Sequence, residues 1–312
     1  MTELYKKLKE FGTVKLNEPL SKHTTFKIGG KAEFFVIAEQ TDQLVQLLKF
    51  LDEEGIERFI LGGGSNMLVR DEDRPGVVIQ IKTKDSQVID TGIVADAGCS
   101  TVATANLSMK EGFVGFEWGV GIPGTMGGAV RGNAGAMGWE MQNNVEGVDA
   151  YIDGEVVYLS NADCDFHYRH SIFKENGGVV LRVHLKLEKS ESKDGMKKAL
   201  EYLQYRSKTQ PQGYASTGCI FKNFEIKNPE SLQFDLPEEF QQKRKISAGW
   251  LIEKSGMKNA QVGKAKVSET HGNFVVNMGS ATATEVLTLI EQIKEKVYDT
   301  FGIEIEEEIQ IV

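Results

Sequence analysis

The chain has 312 residues, 40% of them apolar and 26% charged, with a formal net charge of −9. That length exceeds what one hydrophobic core usually organises and predicts two or three domains. The composition excludes a disordered chain, and the acidic balance argues against a general nucleic-acid binder while leaving room for a local basic pocket that holds an anion. The three cysteines, Cys99, Cys164 and Cys219, have no regular spacing. They fit a reducing compartment rather than a disulfide framework or a zinc site, so no metal is expected. The N-terminal stretch lacks an apolar signal core and no window approaches a membrane span, so a cytoplasmic protein with no membrane partner is expected.

In chain order, the first part reads as short strands separated by glycine turns: 32–39, 58–64, 76–81 and 92–98. A helix fits 41–55, with Leu44, Leu47, Leu48 and Leu51 on one face. Another fits 100–111, opened by Ser100. A hairpin over 148–159 turns at Asp153-Gly154, and 177–188 is a further strand. The charged, apolar-poor segment 189–198 is expected to be a seam between two regions, followed by a helix to about Arg206. Thr282 and Glu285 form a capping-box pattern ahead of a helix with Val286, Ile290, Ile293 and Val297 on one stripe. The chain is expected to close on a strand, with Phe301, Ile303, Ile305, Ile309 and Ile311 on one face, which Glu307 interrupts, and Glu304, Glu306 and Glu308 on the other. No repeating βαβ pattern is visible, so the expected class is α+β rather than a doubly wound sheet.

Two glycine-rich stretches carry the first chemical signal. In "FILGGGSNMLV" (59–69) a strand runs into Gly62, Gly63, Gly64, Ser65 and Asn66. It lacks the spaced glycines of a dinucleotide fingerprint and the Gly-Lys-Ser/Thr of an NTPase loop. Successive glycines nevertheless let backbone amides converge on an anion. In "GIPGTMGGAVRGNAGAMG" (121–138) seven glycines and three alanines in eighteen residues require close approach of this backbone to something, whether other backbone or a flat ligand. Two such loops in one acidic chain favour a large phosphate-bearing cofactor. Further along, "HYRHSIFKE" (167–175) packs Tyr168, Arg169, Ser171 and Lys174 together, and Arg169 is either a surface residue or a clamp for carboxylate or phosphate. Arg206 near a helix end either offsets the helix dipole or binds. In "GYASTGCIFKN" (213–223) Cys219 is either a small packed hydrophobe or a reactive thiol.

In this order the pieces closely resemble one family, UDP-N-acetylenolpyruvoylglucosamine reductase. The likeness runs from about Leu20 to the C-terminus. It is carried by "LSKHTTFKIGG" (20–30), "LGGGSNMLV" (61–69), the 121–138 stretch, "YRHSIFK" (168–174), "TGCIFKN" (217–223), "SAGWLIEKSG" (247–256), "HGNFVVN" (271–277) and the Glu-rich end. The short connection at 189–198 looks like the family's shorter type. The resemblance implies an α+β fold: a two-part FAD-binding module of the vanillyl-alcohol-oxidase (PCMH) type over 1–190, split near 85–90, then a C-terminal substrate domain over 191–312 whose last strand returns to the active site. It implies a peptidoglycan-synthesis enzyme that reduces UDP-N-acetylglucosamine enolpyruvate to UDP-N-acetylmuramate, with NADPH as reductant through FAD. Hydride would pass from flavin N5 to the enolpyruvyl β-carbon.

By resemblance, Gly62, Gly63, Gly64, Ser65 and Asn66 would hold the FAD pyrophosphate. Gly121, Ile122, Pro123, Gly124, Thr125, Gly127, Gly128, Ala129, Asn133 and Gly135 would wrap the flavin and ribityl chain. Arg169 and Glu308 match the family's catalytic arginine and glutamate. Cys219 stands where the family's serine gives the α-carbon its proton. Tyr168, Lys222, Asn223 and Arg206 would serve the UDP-sugar. The sequence departs from the family pattern at Glu307, where proline is frequent, and at Phe224, which follows Asn223 in place of proline. A monomer is favoured, with no nucleic-acid partner. Two other functions fit the fold: an FAD enzyme oxidising a hydroxy acid or sugar, and a non-catalytic nucleotide-sugar sensor.

Overall fold

The computed structural model describes residues 3–190, 194–228, 232, 234 and 236–312. The chain divides into two compact units, one made of Met1–Glu18, Ala32–Gly63 and Arg74–Arg206, the other of Pro19–Lys31, Gly64–Asp73 and Ser207–Val312.

The first unit holds two sheets. The smaller orders its strands Thr13–Pro19, Lys31–Ala38, Arg74–Ile81, Arg58–Leu61, and the last three run parallel. Parallel neighbours need a crossover, and helix Thr41–Glu53 supplies it. Leu44, Leu47, Leu48 and Leu51 are fully buried on its inner face, as their spacing predicts. This is a single βαβ unit, with Arg74–Ile81 inserted between its strands, so the α+β class stands. The larger sheet is antiparallel, in the order Glu155–Ser160, Val145–Ile152, Val179–Lys186, Gly92–Asp96, Ser86–Ile89. Its hairpin turns on Asp153 (φ 49°) and Gly154 (φ 86°), the left-handed pair that a two-residue turn requires. Helix Thr101–Lys110 starts where Ser100 Oγ accepts from the Ala103 amide at 3.4 Å. Tyr151, on the larger sheet, donates its hydroxyl to Asp52 on the crossover helix at 2.6 Å.

The second unit is built on an antiparallel sheet, Ala215–Cys219, Phe274–Asn277, Ala265–Val267, Gln261–Val262. Helix Ala283–Phe301 packs on the Gln261–Val262 and Ala265–Val267 strands and against helix Ala248–Lys254. Its core takes in Phe26, Ile28 and Leu68 from two segments distant in sequence. Val286, Ile290, Ile293 and Val297 are buried on the long helix as their stripe predicts.

Three expectations need correction. The closing segment is not a strand throughout: only Gln310–Ile311 pairs, parallel to Met67–Leu68, with an isolated bridge between Glu307 and Phe221. Phe301 belongs to the preceding helix, which ends at Gly302 with φ 65°. Part of the expected seam, 191–193, lies outside the described residues. Its second half is already helix, since Asp194–Thr209 is helical, because Met, Lys, Ala and Leu favour helix even where little is buried.

The first amides of helix Ala283–Phe301 are all satisfied. Thr282 Oγ1 accepts from Glu285, and the Asp71 carboxylate accepts from Ala283 at 2.8 Å and Thr284 at 3.0 Å. Desolvation pushes the Asp71 carboxyl up, but these amides and the Thr284 hydroxyl outweigh it and hold the group below its ordinary value. A depressed carboxylate stabilises the fold fully above the unfolded value of about 4, and that contribution is lost as pH falls through the folded one. Asp71→Ala is therefore expected to cost about 0.5–1 kcal/mol at pH 7, the low end for a cap because the carboxylate is solvent-screened. The deficit should shrink as pH drops below about 4, measured by urea unfolding at both pH values.

Candidate active site

In the first unit the two glycine loops meet. A Cβ on Gly63 would stand 2.7 Å from Gly124 Cα, and one on Gly62 would stand 2.6 Å from Thr125 Oγ1. Thr125 caps the short helix Met126–Arg131 through the Gly128 amide, and the loop is stitched to 97–101 by bonds from Met126 to Cys99 and from Thr101 to Gly124. Gly127 lets this helix pack on Ala97. Ala129 lies in the core, Ile122 packs against it, and Pro123 lies between Ile122 and Gly124. The Arg206 side chain runs over Gly121, with its Cδ 2.7 Å from where a Cβ would be.

Arg169 occupies a two-residue turn closed by reciprocal backbone bonds between His167 and His170. Its φ is 57°, a left-handed conformation that is costly for arginine and persists only where surroundings impose it. They do so here: Lys174 Nζ donates to the Arg169 carbonyl at 2.7 Å, the guanidinium donates to the Gly135 carbonyl at 3.3 Å, and the Tyr168 ring lies 4.9 Å from Arg169 Cζ. Glu140, which the sequence did not mark, has a carboxylate oxygen 3.9 Å from Arg169 Nη1. Asn133 is fully buried. Its amide donates to Glu140 and the His167 carbonyl and accepts from the Gln142 amide, so it braces the arginine turn.

In the second unit, Gly64 has φ 61° and its Cβ position is taken by the His23 carbonyl, so only glycine fits. Ser65 accepts from Thr217 at 3.1 Å, and Asn66 Nδ2 donates to the Glu308 carbonyl at 3.2 Å. The Glu308 amide donates to the carbonyl of Ile220, the residue after Cys219, at 2.7 Å. The thiol strand and the glutamate segment are thus backbone neighbours. Buried Asn273, another residue without a sequence signal of its own, bonds both the amide and the carbonyl of Phe221 and fixes the same strand. Lys222 pairs with Glu306 at 3.0 Å, and Asn223 accepts from the Ala248 amide. Glu307 pairs instead with Lys294, and that hydrogen bond raises the lysine above its ordinary value. The thiols also differ. Burial pushes Cys99 and Cys164 up to about 11, whereas Cys219 is only partly buried.

The 62–66 loop fits a phosphate-bearing cofactor. Among the described residues, no backbone carbonyl accepts from the amides of Gly62, Gly63, Gly64 or Asn66. The buried Thr101 hydroxyl, whose own amide bonds Gly124, has no hydrogen-bond partner.

A family model described as an FAD binding domain matches residues 32–160, and one described as the C-terminal domain of UDP-N-acetylenolpyruvoylglucosamine reductase matches 210–312. The fold and its glycine loops define an FAD-dependent oxidoreductase. UDP-N-acetylenolpyruvoylglucosamine reductase of Caldanaerobacter subterraneus subsp. tengcongensis is 40% identical over 99% of this chain and 98% of its own length. That of Bacillus subtilis is 36% identical over 98% and 96%. The crystal structure of the Thermus caldophilus enzyme superposes with a TM-score of 0.77 at 30% identity, covering 96% of this chain and 98% of that one. The chain belongs to the UDP-N-acetylenolpyruvoylglucosamine reductase family, flavoenzymes of peptidoglycan synthesis.

Because the Gly63 backbone touches that of Gly124, Gly63→Ala must part the two loops. It is expected to purify with at least about tenfold less FAD, a loss equivalent to one good hydrogen bond, while its far-UV circular dichroism is unchanged. Flavin absorbance per chain checks this.

Proposed function

We propose that this chain reduces UDP-N-acetylglucosamine enolpyruvate to UDP-N-acetylmuramate, with NADPH as reductant and FAD as cofactor. The observation that carries the reading is the bond between the Glu308 amide and the Ile220 carbonyl, which seats the glutamate segment beside the thiol strand. FAD, held by the 62–66 and 121–135 residues, would supply the hydride chemistry that carries reducing equivalents from NADPH to the β-carbon of the enolpyruvyl ether. As that carbon gains hydride, negative charge develops on the α-carbon and its carboxylate. Arg169, held in a strained turn, offers a fixed guanidinium to charge that appears only on the way to the transition state. Cys219 then gives its Sγ proton to the α-carbon and recovers one from solvent. Glu308 accepts hydrogen bonds that keep the donor and substrate in register.

The functional division follows the family: 1–190 as the flavin module, split near 85–90, and 191–312 as the substrate domain. Gly62, Gly63, Gly64, Ser65 and Asn66 serve the pyrophosphate, and the 121–135 residues serve the flavin side. Tyr168, Lys222, Asn223 and Arg206 serve the UDP-sugar. A monomer working in the cytoplasm, without nucleic acid, suits a nucleotide-sugar substrate; no helix among the described residues is long and apolar enough to cross a membrane.

A thiol has a reference pKa of about 8.5, so it donates more readily than an alcohol but is also lost as thiolate sooner. Cys219→Ser is expected to stay active and to hold its activity to higher pH than the wild type. Cys219→Ala should accept electrons from NADPH normally yet reoxidise about 10²–10⁴-fold more slowly with the enolpyruvyl UDP-sugar, the range for a positioned general acid. Anaerobic stopped-flow measurement of each half-reaction decides it, and an alanine variant that reoxidises at the wild-type rate returns Cys219 to packing.

Arg169→Lys keeps the charge and loses the planar fork. Together with Glu308→Gln it should retain FAD and slow reoxidation, while Glu307→Gln should leave turnover near wild type. A silent Glu308 change beside a crippling Glu307 change would reverse the two assignments.

A further inference from the structure

The polar end of the glycine loop is bonded to both segments on which the proposed chemistry rests. Asn66 Nδ2 donates to the Glu308 carbonyl at 3.2 Å, and the Asn66 carbonyl accepts from Gln310 at 3.0 Å. From there the two segments run in register, Met67 beside Gln310 and Leu68 beside Ile311. On the other side, Thr217 Oγ1 donates to the Ser65 carbonyl at 3.1 Å. Thr217 is only 2% exposed, so water cannot replace that partner. The register shift between Ser216 and Cys219, with Gly218 at φ 84°, is an irregularity that ends at the thiol residue itself.

The Ser65–Asn66 peptide is planar and trans, so its carbonyl and its amide point in opposite directions. Holding the Ser65 carbonyl therefore aims the Asn66 amide, one of the four amides in the loop with no backbone acceptor. An anion gathered by these amides would in turn fix the carbonyl that Thr217 uses and the side chain that Glu308 uses. Such coupling is reciprocal.

We propose that Asn66 and Thr217 are positioning residues, through which the cofactor loop holds the Glu308 segment and the Cys219 strand, so that loading the loop also sets the proton-donating part of the enzyme. The assignment rests on the proposed reaction for the roles of Cys219 and Glu308. The coupling itself needs only FAD.

The test compares apoprotein with FAD-loaded protein in the wild type, Asn66→Ala, Thr217→Val and Thr217→Ser. Two readouts need no turnover: amide hydrogen exchange in the peptide 303–312, and the rate of Cys219 alkylation by iodoacetamide, followed by mass spectrometry. In the wild type, FAD is expected to slow both. Asn66→Ala removes only the side chain and keeps the backbone amide that serves the pyrophosphate, so with FAD saturating it should lose the slowing at 303–312. Thr217→Val should keep its FAD and lose the slowing at Cys219, and Thr217→Ser, which retains the hydroxyl, should restore it. In the loaded enzymes, reoxidation by the enolpyruvyl UDP-sugar should fall about tenfold in Thr217→Val, the worth of one hydrogen bond, with flavin reduction by NADPH nearly unchanged, and should fall by less in Asn66→Ala, whose bond to the Glu308 carbonyl is exposed.

A wild type in which FAD changes neither readout overturns the proposal. So do variants that keep the FAD-dependent slowing, since the cofactor would then shield those groups directly. An Asn66→Ala variant that no longer takes up FAD even at saturation makes the Asn66 side chain a direct cofactor ligand and overturns its positioning role. Should Thr217→Val not fold, Asn66→Ala, at an exposed position, carries the comparison alone. A wild type whose reduced flavin is never reoxidised by the UDP-sugar sinks the proposed reaction instead, and the exchange and alkylation results still decide the coupling.

Discussion

A loop that gathers an anion must leave its own amides unspent, so its shape has to be held by everything except its amides. The 62–66 segment is held in that way. Gly63 rests on the Gly124 backbone, Gly64 fits only because no Cβ meets the His23 carbonyl, and the Gly64 carbonyl is taken by Thr25. Ser65 gives its carbonyl to Thr217, and Asn66 gives its carbonyl to Gln310. An amide with no acceptor costs about 1–3 kcal/mol when buried, a cost that a bound phosphate removes.

The second unit takes in 64–73 from a distant part of the chain. It needs 64–73 as a neighbour for the last residues of the chain, and it anchors that segment at its far end through Asp71 on the N-terminus of helix Ala283–Phe301. Leu68 enters the core between the anchors. The segment is thereby fixed by a backbone ladder, a buried side chain and a cap, none of which uses the loop's amides. Arg169 is treated likewise in the first unit. Its strained backbone is offset by Lys174 at the carbonyl and by Asn133 beneath the turn, leaving the guanidinium to be oriented by Gly135 and Glu140.

Local periodicity was enough to find the elements. The leucine face of helix Thr41–Glu53, the Asp153-Gly154 turn and the Thr282–Glu285 capping box are each written within a few residues, and the structure has them all. The glycine loops were also legible, because backbone contact leaves a compositional trace. What the sequence could not show is pairing across long separations. Nothing local tells Asn66 that its amide will meet residue 308, or Asp71 that it caps a helix more than two hundred residues away. The charged, apolar-poor composition of 189–198 also hides the start of a helix at Asp194, because helix propensity does not require burial. Resemblance to a family is the source of the roles proposed for Arg169, Cys219 and Glu308, which pattern alone does not assign.

The carboxylates at the C-terminus show how a broken pattern can mislead and then inform. Strict alternation makes Glu307 the anomaly and draws attention to it. In the structure Glu307 stands opposite Phe221, a fully buried residue, and so takes the inward side of the segment. An inward carboxylate needs a partner, and Lys294 on the long helix provides one at 3.0 Å. Glu306, one residue earlier, takes the other side and meets Lys222, as the alternation about the bridge requires. Glu308 follows on that same outer side, with its backbone bonded at both the amide and the carbonyl. The residue that violates the hydrophobic pattern is thus the one already committed to structure. The residue that obeys the pattern has its backbone fixed by two neighbouring segments, the condition under which a carboxylate can be placed reproducibly enough to serve chemistry.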